Sequence, residues 1–177
     1  MGPALLLTGR PGAGKTTTIR SVVAQLGAQA GGFYTKEVRE AGRRTGFRLV
    51  ALDGQTGILA GLNISGPYRV GRYRVHLSNL EQVGVESLWR AIRDPKVLVV
   101  VIDEIGQMEL FSPAFRKAVL EGLQSPKPVL GTITVARSEW VDAVKARPDV
   151  TLLDVTPANR SALPELILEW LQDNPGG

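Results

Sequence analysis

The chain lacks cysteine altogether and has a single histidine, His76, among its 177 residues. Without cysteine it can form no disulfide bond, thiolate metal site or cysteine nucleophile. One histidine also argues against a multi-histidine metal site and against Ser-His-Asp chemistry. No apolar stretch approaches the ~20 residues that cross a bilayer, and the apolar run in the opening MGPALLLTG is too short for a signal peptide. We therefore expect a cytoplasmic protein with no membrane partner.

The composition is typical of a soluble globular protein, with 44% hydrophobic and 21% charged residues. The length predicts a single domain over residues 1–177, because it allows a sizeable core but is too short for two full-sized domains. The 21 Lys and Arg against 17 Asp and Glu give a net charge of +4. This modest excess suits a small anionic ligand as well as it suits nucleic acid, so charge leaves both classes of partner open.

Short apolar runs alternate with helical patterns along the chain. The runs predict strands at residues 3–8, 32–38, 46–52, 57–62, 97–102, 128–134 and 150–155. Helices are predicted at residues 15–26, 113–123, 138–146 and 163–171, and one more carries an apolar face of Val85, Leu88, Trp89 and Ile92. Strands separated by helices of this length are typical of a three-layer α/β domain with a mostly parallel central sheet. Residues 32–62 are the exception and predict an antiparallel edge hairpin.

Local signals mark the ends of several elements. Gly27 is placed to end the first helix, and Ser112 before a proline predicts the start of the helix at 113–123. Ser78 and Glu81 have the spacing of a capping box. Residues 63–79 have no clear period and predict a loop or small lid. In this segment arginines alternate with tyrosines, at Tyr68, Arg69, Arg72, Tyr73 and Arg74. Such a pattern fits either a nucleic-acid-binding patch or a mobile lid over phosphates.

The segment after the first predicted strand reads Gly-Arg-Pro-Gly-Ala-Gly-Lys-Thr over residues 9–16 and matches G-x-x-x-x-G-K-[ST] in full. The glycines allow consecutive backbone N–H groups to turn inward around an anion, and the following helix directs its positive dipole end to the same point. Lys15 can reach β- and γ-phosphate oxygens, and the Thr16 hydroxyl can ligate Mg²⁺. The alternative is a structural turn with a surface lysine, but the strand before and the helix after the motif favour a nucleotide site.

Asp103 and Glu104 directly follow the unbroken apolar run 97–102. Such a run suits a strand covered on both faces, and the carboxyl end of that strand lies where α/β sheets bind ligands. Asp103 therefore suits Mg²⁺, directly or through a water. Glu104, one residue further and clear of the strand, suits orienting or deprotonating a water aimed at the γ-phosphate. Both residues could instead be solvated carboxylates at a strand end. The presence of a phosphate loop and of an apolar strand directly before the two residues favours the functional interpretation.

The sequence contains, in this order, TGRPGAGKTT, GGFYTKEVREAGRRTGFRLV, YRVGRY, VVVIDEIGQMEL, and RPDV followed by VTPANR. In these stretches it resembles the cancer-related nucleoside-triphosphatase family, whose microbial members include thermophilic nucleoside-triphosphate phosphatases. The phosphate loop alone is shared by many families, whereas GFYT-x-E-V-R together with DEIG-x-MEL is much more specific. The resemblance implies a RecA-like P-loop fold. It also implies Mg²⁺-dependent hydrolysis of nucleoside triphosphates to diphosphates and phosphate, with ATP, GTP and other triphosphates accepted.

By position, the resemblance implies nucleotide-binding segments at residues 8–15 and 99–106. Asn159 and Arg160 are added because they follow the last predicted strand, where related folds place base contacts. The full set of candidate nucleotide-binding residues is Thr8, Gly9, Arg10, Pro11, Gly12, Ala13, Gly14, Lys15, Thr16, Thr17, Asp103, Glu104, Gly106, Asn159 and Arg160. We predict Lys15 and Glu104 as the catalytic residues, and Thr16 and Asp103 as the ligands of Mg²⁺.

Hydrolysis also needs positive charge against the γ-phosphoryl oxygens of the transition state. Arg10 lies in the loop itself, while Arg137 and Arg160 follow strands whose ends should face the site. Taken singly, each fits an ordinary surface arginine better, and Arg137 comes later after its strand than the family pattern leads us to expect. The choice among the three stays open. Thr134, at the same strand end, is a candidate hydrogen-bond donor to the γ-phosphate or the water.

Three classes of function fit these motifs. The leading one is a nucleoside-triphosphate hydrolase in which Glu104 activates water. The second is a small-molecule or nucleotide kinase, which would release phosphate from ATP only by transfer to an added nucleoside or sugar. The third is a switch or nucleic-acid-binding module, although the absence of the guanine-specific N-K-x-D motif counts against a Ras-like switch. Salt-dependent binding to DNA or RNA that stimulates hydrolysis would favour the nucleic-acid version.

Overall fold

The computed structural model describes residues 1–177 and contains one nine-stranded mixed sheet with helices on both faces. The strands are β1 (Ala4–Thr8), β2 (Ala30–Glu40), β3 (Arg43–Ala51), β4 (Thr56–Gly61), β5 (Arg69–Val70), β6 (Tyr73–Val75), β7 (Val99–Ile105), β8 (Val129–Ile133) and β9 (Val150–Asp154). The α-helices are α1 (Lys15–Leu26), α2 (Leu77–Asn79), α3 (Glu86–Arg93), α4 (Pro113–Gln124), α5 (Glu139–Lys145) and α6 (Leu163–Asp173). The strand order is β5-β6-β4-β3-β2-β7-β8-β1-β9.

The strands β2, β7, β8, β1 and β9 form the parallel half of the sheet. Both faces of this half are covered, which is why β1 and β7 are almost continuously apolar. Leu6 of β1 joins the core on the face of α4, and Leu7 joins the core on the face of α1 and α6. Each fully buried leucine stabilises the fold by roughly 1.5–3 kcal/mol. Parallel pairing brings the carboxyl ends of these strands to one edge of the sheet, and the predicted α/β architecture is confirmed.

The antiparallel half extends the sheet beyond β2. Residues 30–33 of β2 pair with β7, and residues 33–40 pair with β3. Gly32 lies where the two halves meet, with a φ of +110°, and a Cβ there would collide with the backbone oxygen of Val101. Only glycine fits this close approach. The predicted edge hairpin is therefore confirmed, and β4, β6 and β5 continue it outward.

Two local predictions are wrong. Residues 63–79 are not a loop throughout, because they include the short β5–β6 hairpin and α2. The capping box at Ser78 does not form: the imidazole Nδ1 of His76 accepts a hydrogen bond from the backbone N–H of Asn79 at 3.0 Å and caps α2 instead. The reason is that β6 delivers the chain in an extended conformation as far as His76, so Ser78 already lies inside the helix.

Other predicted ends are confirmed. Ser112 caps α4 by accepting a hydrogen bond from the backbone N–H of Phe115 at 3.1 Å, and Gly27 ends α1 with a φ of +57°. A π-helical turn, Leu80–Val85, joins α2 to α3. No helix of the fold is both long and apolar enough to cross a membrane.

Candidate functional site

The turn between β1 and α1 is shaped by three glycines with positive φ. These angles are +144° at Gly9, +80° at Gly12 and +104° at Gly14, values that L side chains rarely adopt. Gly14 precedes α1 without a side-chain cap, so no side chain occupies the N-terminal N–H groups of this helix. A turn of this shape opening into a helix is the structure of a phosphate-binding loop. The structure thus shows the predicted glycine-rich turn at residues 9–14, and phosphate binding by this turn stays a prediction.

Lys15, the first residue of α1, points back across the loop. Its Nζ donates hydrogen bonds to the backbone oxygens of Gly9 at 2.7 Å and Arg10 at 3.1 Å. These carbonyls hold the ammonium group over the centre of the turn. A polyphosphate entering the loop offers charged oxygens in their place, and charge-assisted hydrogen bonds are roughly twice as strong as neutral ones.

Asp103, near the end of β7, is a buried carboxyl group with 1% of its surface exposed. Its Oδ1 accepts a hydrogen bond from the Thr132 hydroxyl at 2.7 Å, whereas Oδ2 has no hydrogen-bond partner. Burial raises the pKa of Asp103, while the Thr132 hydroxyl and the charge of Lys15 act to lower it. Leaving a buried polar atom unpaired costs about 1–3 kcal/mol. Oδ2 therefore fits a cation or a cation-bound water, which suits Mg²⁺ at Thr16 and Asp103.

A cage of protein ligands does not surround this position. No group of three or more His, Asp or Glu side chains is arranged to hold a metal ion. This agrees with Mg²⁺ chemistry, because Mg²⁺ is usually bound through one or two carboxylates and completes its shell with substrate phosphates and waters.

Asp103 and Glu104 both line the same cavity, although consecutive strand residues normally point to opposite faces. Between the paired positions Ile102 and Ile105, β7 holds one residue more than β8, and the peptide bond between the two acidic residues is cis. An extra residue of this kind re-aims neighbouring side chains. The prediction that Glu104 stands clear of the strand is wrong, since β7 continues through Ile105.

Glu104 is half-buried and has an altered basicity. Burial and the neighbouring charge of Asp103 raise the pKa of Glu104, and Lys15 partly opposes this rise. A carboxylate whose pKa is raised is a stronger base at neutral pH. A Cβ on Gly106 would lie 2.6 Å from Glu104 Oε1, so glycine at this position leaves the carboxylate its room.

A third carboxyl group, Glu109, was not among the predicted site residues. It is buried, and its Oε2 would lie 2.8 Å from the same Cβ on Gly106, so the carboxyl groups of Glu104 and Glu109 converge there. Burial and the charge of Glu104 raise the pKa of Glu109 well above its usual range. The available signal was the M-E-L ending of the VVVIDEIGQMEL stretch, to which no role had been given.

One cavity of about 630 Å³ joins these groups. From the loop it is lined by Gly9, Pro11, Gly12, Gly14, Lys15, Thr16 and Thr17. From β7, β8 and the segments after them it is lined by Asp103, Glu104, Gln107, Met108, Glu109, Thr134 and Val135. From the antiparallel half it is lined by Thr35, Lys36, Glu37, Arg44, Phe47, Leu59, Val70, Gly71 and Tyr73. The volume falls within the range of small-molecule sites in proteins.

Sequence reasoning missed the antiparallel wall of this cavity. There the guanidinium of Arg44 donates from Nη1 to Glu37 Oε1 and from Nε to the Tyr73 hydroxyl, both at 3.0 Å. It also lies over the ring of Phe47, 5.1 Å from the ring centre. Hydrogen bonding from Arg44 lowers the pKa of both Glu37 and Tyr73. Pairing between β2, β3 and β6 brings these residues together. The available signal was that they lie in the GGFYTKEVREAGRRTGFRLV and YRVGRY stretches of the resemblance, to whose polar side chains no site role was assigned.

Six predicted nucleotide-binding residues do not line the cavity: Thr8, Arg10, Ala13, Gly106, Asn159 and Arg160. Asn159 instead braces the chain after β9, accepting from the N–H of Thr156 at 2.8 Å and donating to the oxygen of Asp154 at 2.7 Å. Arg160 lies against the phosphate loop, where its Cδ would be 3.6 Å from a Cβ on Gly14. Base contact by Asn159 and Arg160 therefore stays a prediction.

The remaining candidates are Thr134 and Arg137. Thr134, which directly follows β8, lines both the main cavity and a smaller neighbouring one. Arg137 is ion-paired with Asp142 at 3.1 Å and lines the smaller cavity, of about 470 Å³, with Arg69. Because Val70 and Gly71 line both cavities, the β5–β6 hairpin is a wall of the site; its role as a lid or a nucleic-acid contact stays a prediction.

Comparisons with known proteins identify the family of this chain. The family model described as NTPase matches residues 4–168. Nucleoside-triphosphatase THEP1 of Thermotoga sp. (strain RQ2) is 45% identical over 172 residues, which cover 97% of each chain. The crystal structure of THEP1 from Aquifex aeolicus superposes with a TM-score of 0.87 at 35% identity, covering 96% of this chain and 99% of that one. The solution structure of a human cancer-related nucleoside triphosphatase gives a TM-score of 0.81 at 39% identity, covering 97% and 98%.

The family match spans most of the chain, and the structural matches extend through both halves of the sheet. The resemblance found in the sequence motifs is thereby confirmed. This chain belongs to the NTPase family.

Proposed function

We propose that the chain is a Mg²⁺-dependent enzyme that hydrolyses nucleoside 5′-triphosphates, namely ATP, GTP, CTP and UTP, to the diphosphate and phosphate. One observation carries the proposal: the phosphate loop with Lys15 and the carboxyl groups of Asp103 and Glu104 line one cavity. A phosphate tail held by the loop would therefore lie beside both a metal ligand and a base. The names of the relatives, which are nucleoside-triphosphatases, support the same function.

Each group has a distinct task in this proposal. The loop N–H groups and Lys15 bind the phosphate oxygens. Thr16 and Asp103 would hold Mg²⁺, which when bound neutralises charge between the β- and γ-phosphates. Glu104 orients a water and accepts its proton while the water oxygen bonds to the γ-phosphorus. The bond from the γ-phosphorus to the bridging oxygen breaks, and its electron pair stays on the diphosphate.

The positions of the side chains support broad base acceptance. The main cavity is lined by the phosphate loop and the acidic residues, and the candidate base contact Asn159 lies outside it, with its amide already engaged with the backbone of Thr156 and Asp154. A base site that offers no fixed and unpaired hydrogen-bonding side chain discriminates weakly between bases. Strong discrimination arises when the wrong base leaves such a side chain without a hydrogen-bond partner.

The direct test is phosphate release from ATP, GTP, CTP and UTP, with and without Mg²⁺ and with and without single-stranded nucleic acid. We expect release from all four triphosphates, loss of release when the metal is chelated, and no stimulation by nucleic acid. Phosphate that leaves ATP only on addition of a nucleoside or sugar acceptor would contradict hydrolysis and identify a kinase. Release that depends on nucleic acid would identify a nucleic-acid-stimulated enzyme instead.

A further inference from the structure

A bound triphosphate adds several negative charges to a cavity that already contains a cluster of carboxyl groups. Asp103, Glu104 and Glu109 all line it, and the substrate adds a polyphosphate. In phosphoryl transfer the γ-phosphoryl oxygens carry charge in the transition state, and cations aimed at them supply much of the catalysis. Lys15 belongs to the phosphate loop, which leaves the far side of the γ-phosphate without a cation from the loop.

Arg44 is the one arginine that lines this cavity. The arginines that local sequence suggested, Arg10, Arg137 and Arg160, lie outside it. Lys36 also lines the cavity, but it is exposed and its ammonium group makes no hydrogen bond that would fix its position. Among the cationic side chains of the antiparallel wall, only Arg44 is both within the cavity and held in place.

The guanidinium of Arg44 is held on one side and free on the other. Nε and one N–H of Nη1 are used by Tyr73 and Glu37, each at 3.0 Å. A guanidinium carries five N–H groups, and Nη2 of Arg44 has no hydrogen-bond partner in the fold. Both N–H groups of Nη2 and the second one of Nη1 therefore remain available to an anion.

Strand β2 links Glu37, which holds the Arg44 guanidinium, to the neighbourhood of Asp103 and Glu104. Phe33 of β2 is paired in register with Ile102 of β7, the residue before Asp103, and Thr35 and Glu37, two residues apart further along β2, line the cavity. Two residues of a strand span about 6.6–6.8 Å. Glu37 thus holds the Arg44 guanidinium further along β2, on the wall of the same cavity that Asp103 and Glu104 line.

We propose that Arg44 donates its free N–H groups to the γ-phosphoryl oxygens in the transition state and is a catalytic residue of the hydrolysis. This inference rests on the proposed function, since it names a further participant in the same reaction. Glu37 and Tyr73 are positioning residues that fix the guanidinium. The atoms balance as before: water adds to the γ-phosphorus, the bridging oxygen leaves with the electron pair, Glu104 takes the proton, and Arg44 exchanges no atoms.

The test compares Arg44→Ala and Arg44→Lys with Arg43→Ala, a matched control on the neighbouring residue of β3. Arg43 is exposed and lies outside the cavity. Three quantities are measured on each full-length variant: single-turnover phosphate release from ATP, the Kd of a non-hydrolysable ATP analogue, and the Kd of ADP with aluminium fluoride, a mimic of the transition state. Thermal unfolding checks that each variant is folded.

For Arg44→Ala we expect phosphate release to fall by about 10²–10³-fold, the effect of removing one transition-state donor. Binding of ADP with aluminium fluoride should weaken by a similar factor, while binding of the ATP analogue changes little, because only transition-state contacts are lost. Arg44→Lys keeps the charge but lacks the planar fork, so it should recover only part of the rate. Free guanidinium ion at low, non-denaturing concentration should raise the rate of Arg44→Ala but not that of Arg43→Ala.

Unchanged phosphate release from both Arg44 variants would overturn the inference and leave the proposed function standing. A slower Arg44→Ala that still binds ADP with aluminium fluoride as tightly as the unsubstituted protein would also overturn it, since the role would then be structural. Should Arg44→Ala fail to fold, Arg44→Lys decides by the same measurements. If the unsubstituted chain releases no phosphate from any triphosphate, the proposed function itself fails.

Discussion

Replacing Glu104 with glutamine is the substitution that separates catalysis from binding most cleanly. The amide has nearly the shape of the carboxylate, so the crowded position beside Gly106 should be kept, but it cannot accept a proton from water. The change also removes a negative charge that raises the pKa of Glu109. Triphosphate binding should therefore be retained or become tighter, while hydrolysis is lost.

The size of the loss follows from the role assigned to Glu104. A positioned general base contributes about 10²–10⁴-fold to a rate. The lower limit corresponds to about 2.7 kcal/mol of activation free energy, since each tenfold change is about 1.36 kcal/mol. Because burial and Asp103 raise the pKa of Glu104 and make it the stronger base, we expect hydrolysis to fall by ~10²-fold or more.

The assay is single-turnover phosphate release from Mg·ATP, paired with calorimetric binding of a non-hydrolysable analogue. Glu121→Gln is the matched control, because Glu121 is an exposed residue of α4 that does not line the cavity. It should behave like the unsubstituted protein in both measurements. Normal turnover by Glu104→Gln would show that Glu104 is not the base.

Three further predictions concern neighbouring groups. Lys15→Ala should weaken triphosphate binding and abolish phosphate release, because the loop loses its side-chain cation; calorimetry showing unchanged affinity would contradict this. Gly106→Ala should slow phosphate release by about 10²-fold, because the new Cβ would lie 2.6 Å from Glu104 Oε1 and displace this carboxylate. A displacement of ~1 Å of a catalytic group has an effect of this size. A normal rate would count against the placement of Glu104 as the catalytic base. Burial raises the pKa of Glu109 above 4.5, its ordinary value, so the wild-type fold loses stability as pH rises above that value. Glu109→Gln should therefore have a higher Tm than wild type at pH 7, and the same Tm as wild type below about pH 4.5. If the variant and the wild type have the same Tm at pH 7 as well, ionisation of the buried Glu109 carboxyl does not destabilise the fold and the prediction is wrong.

The phosphate loop and the acidic pair could be predicted from the sequence because each is encoded in a contiguous segment. Glycines at fixed offsets allow the positive φ values of residues 9–14, and the apolar run before Asp103 marks a buried strand whose end meets the loop. Parallel pairing then follows from the alternation of strands and helices. These features need no knowledge of contacts that are distant along the chain.

The antiparallel wall could not be predicted in the same way. The hydrogen bond from Arg44 to Tyr73 spans 29 residues and depends on β3 and β6 both joining the sheet beyond β2. Arg44, Tyr73 and Glu37 lie in segments whose own pattern predicts only strand, turn or loop. Long-range register decides which of their side chains face the cavity.

Glu109 was missed for a related reason. A short 3₁₀ turn, Glu109–Phe111, folds back after β7, with the N–H of Leu110 donating to the oxygen of Gly106 at 3.1 Å. This turn buries a carboxyl group that local pattern would leave in solvent. The prediction of a capping box at Ser78 failed likewise, because the end of β6 decides where α2 begins and makes His76 the cap.

The most direct test is a crystal structure of the chain with Mg²⁺ and a non-hydrolysable nucleoside triphosphate. We predict that the β- and γ-phosphates fill the turn of residues 9–14 and that Lys15 Nζ has left the carbonyls of Gly9 and Arg10 for the phosphate oxygens. The γ-phosphate should lie in the cavity shared with Asp103 and Glu104. A triphosphate bound elsewhere, with Lys15 still on its two carbonyls, would contradict the proposed site.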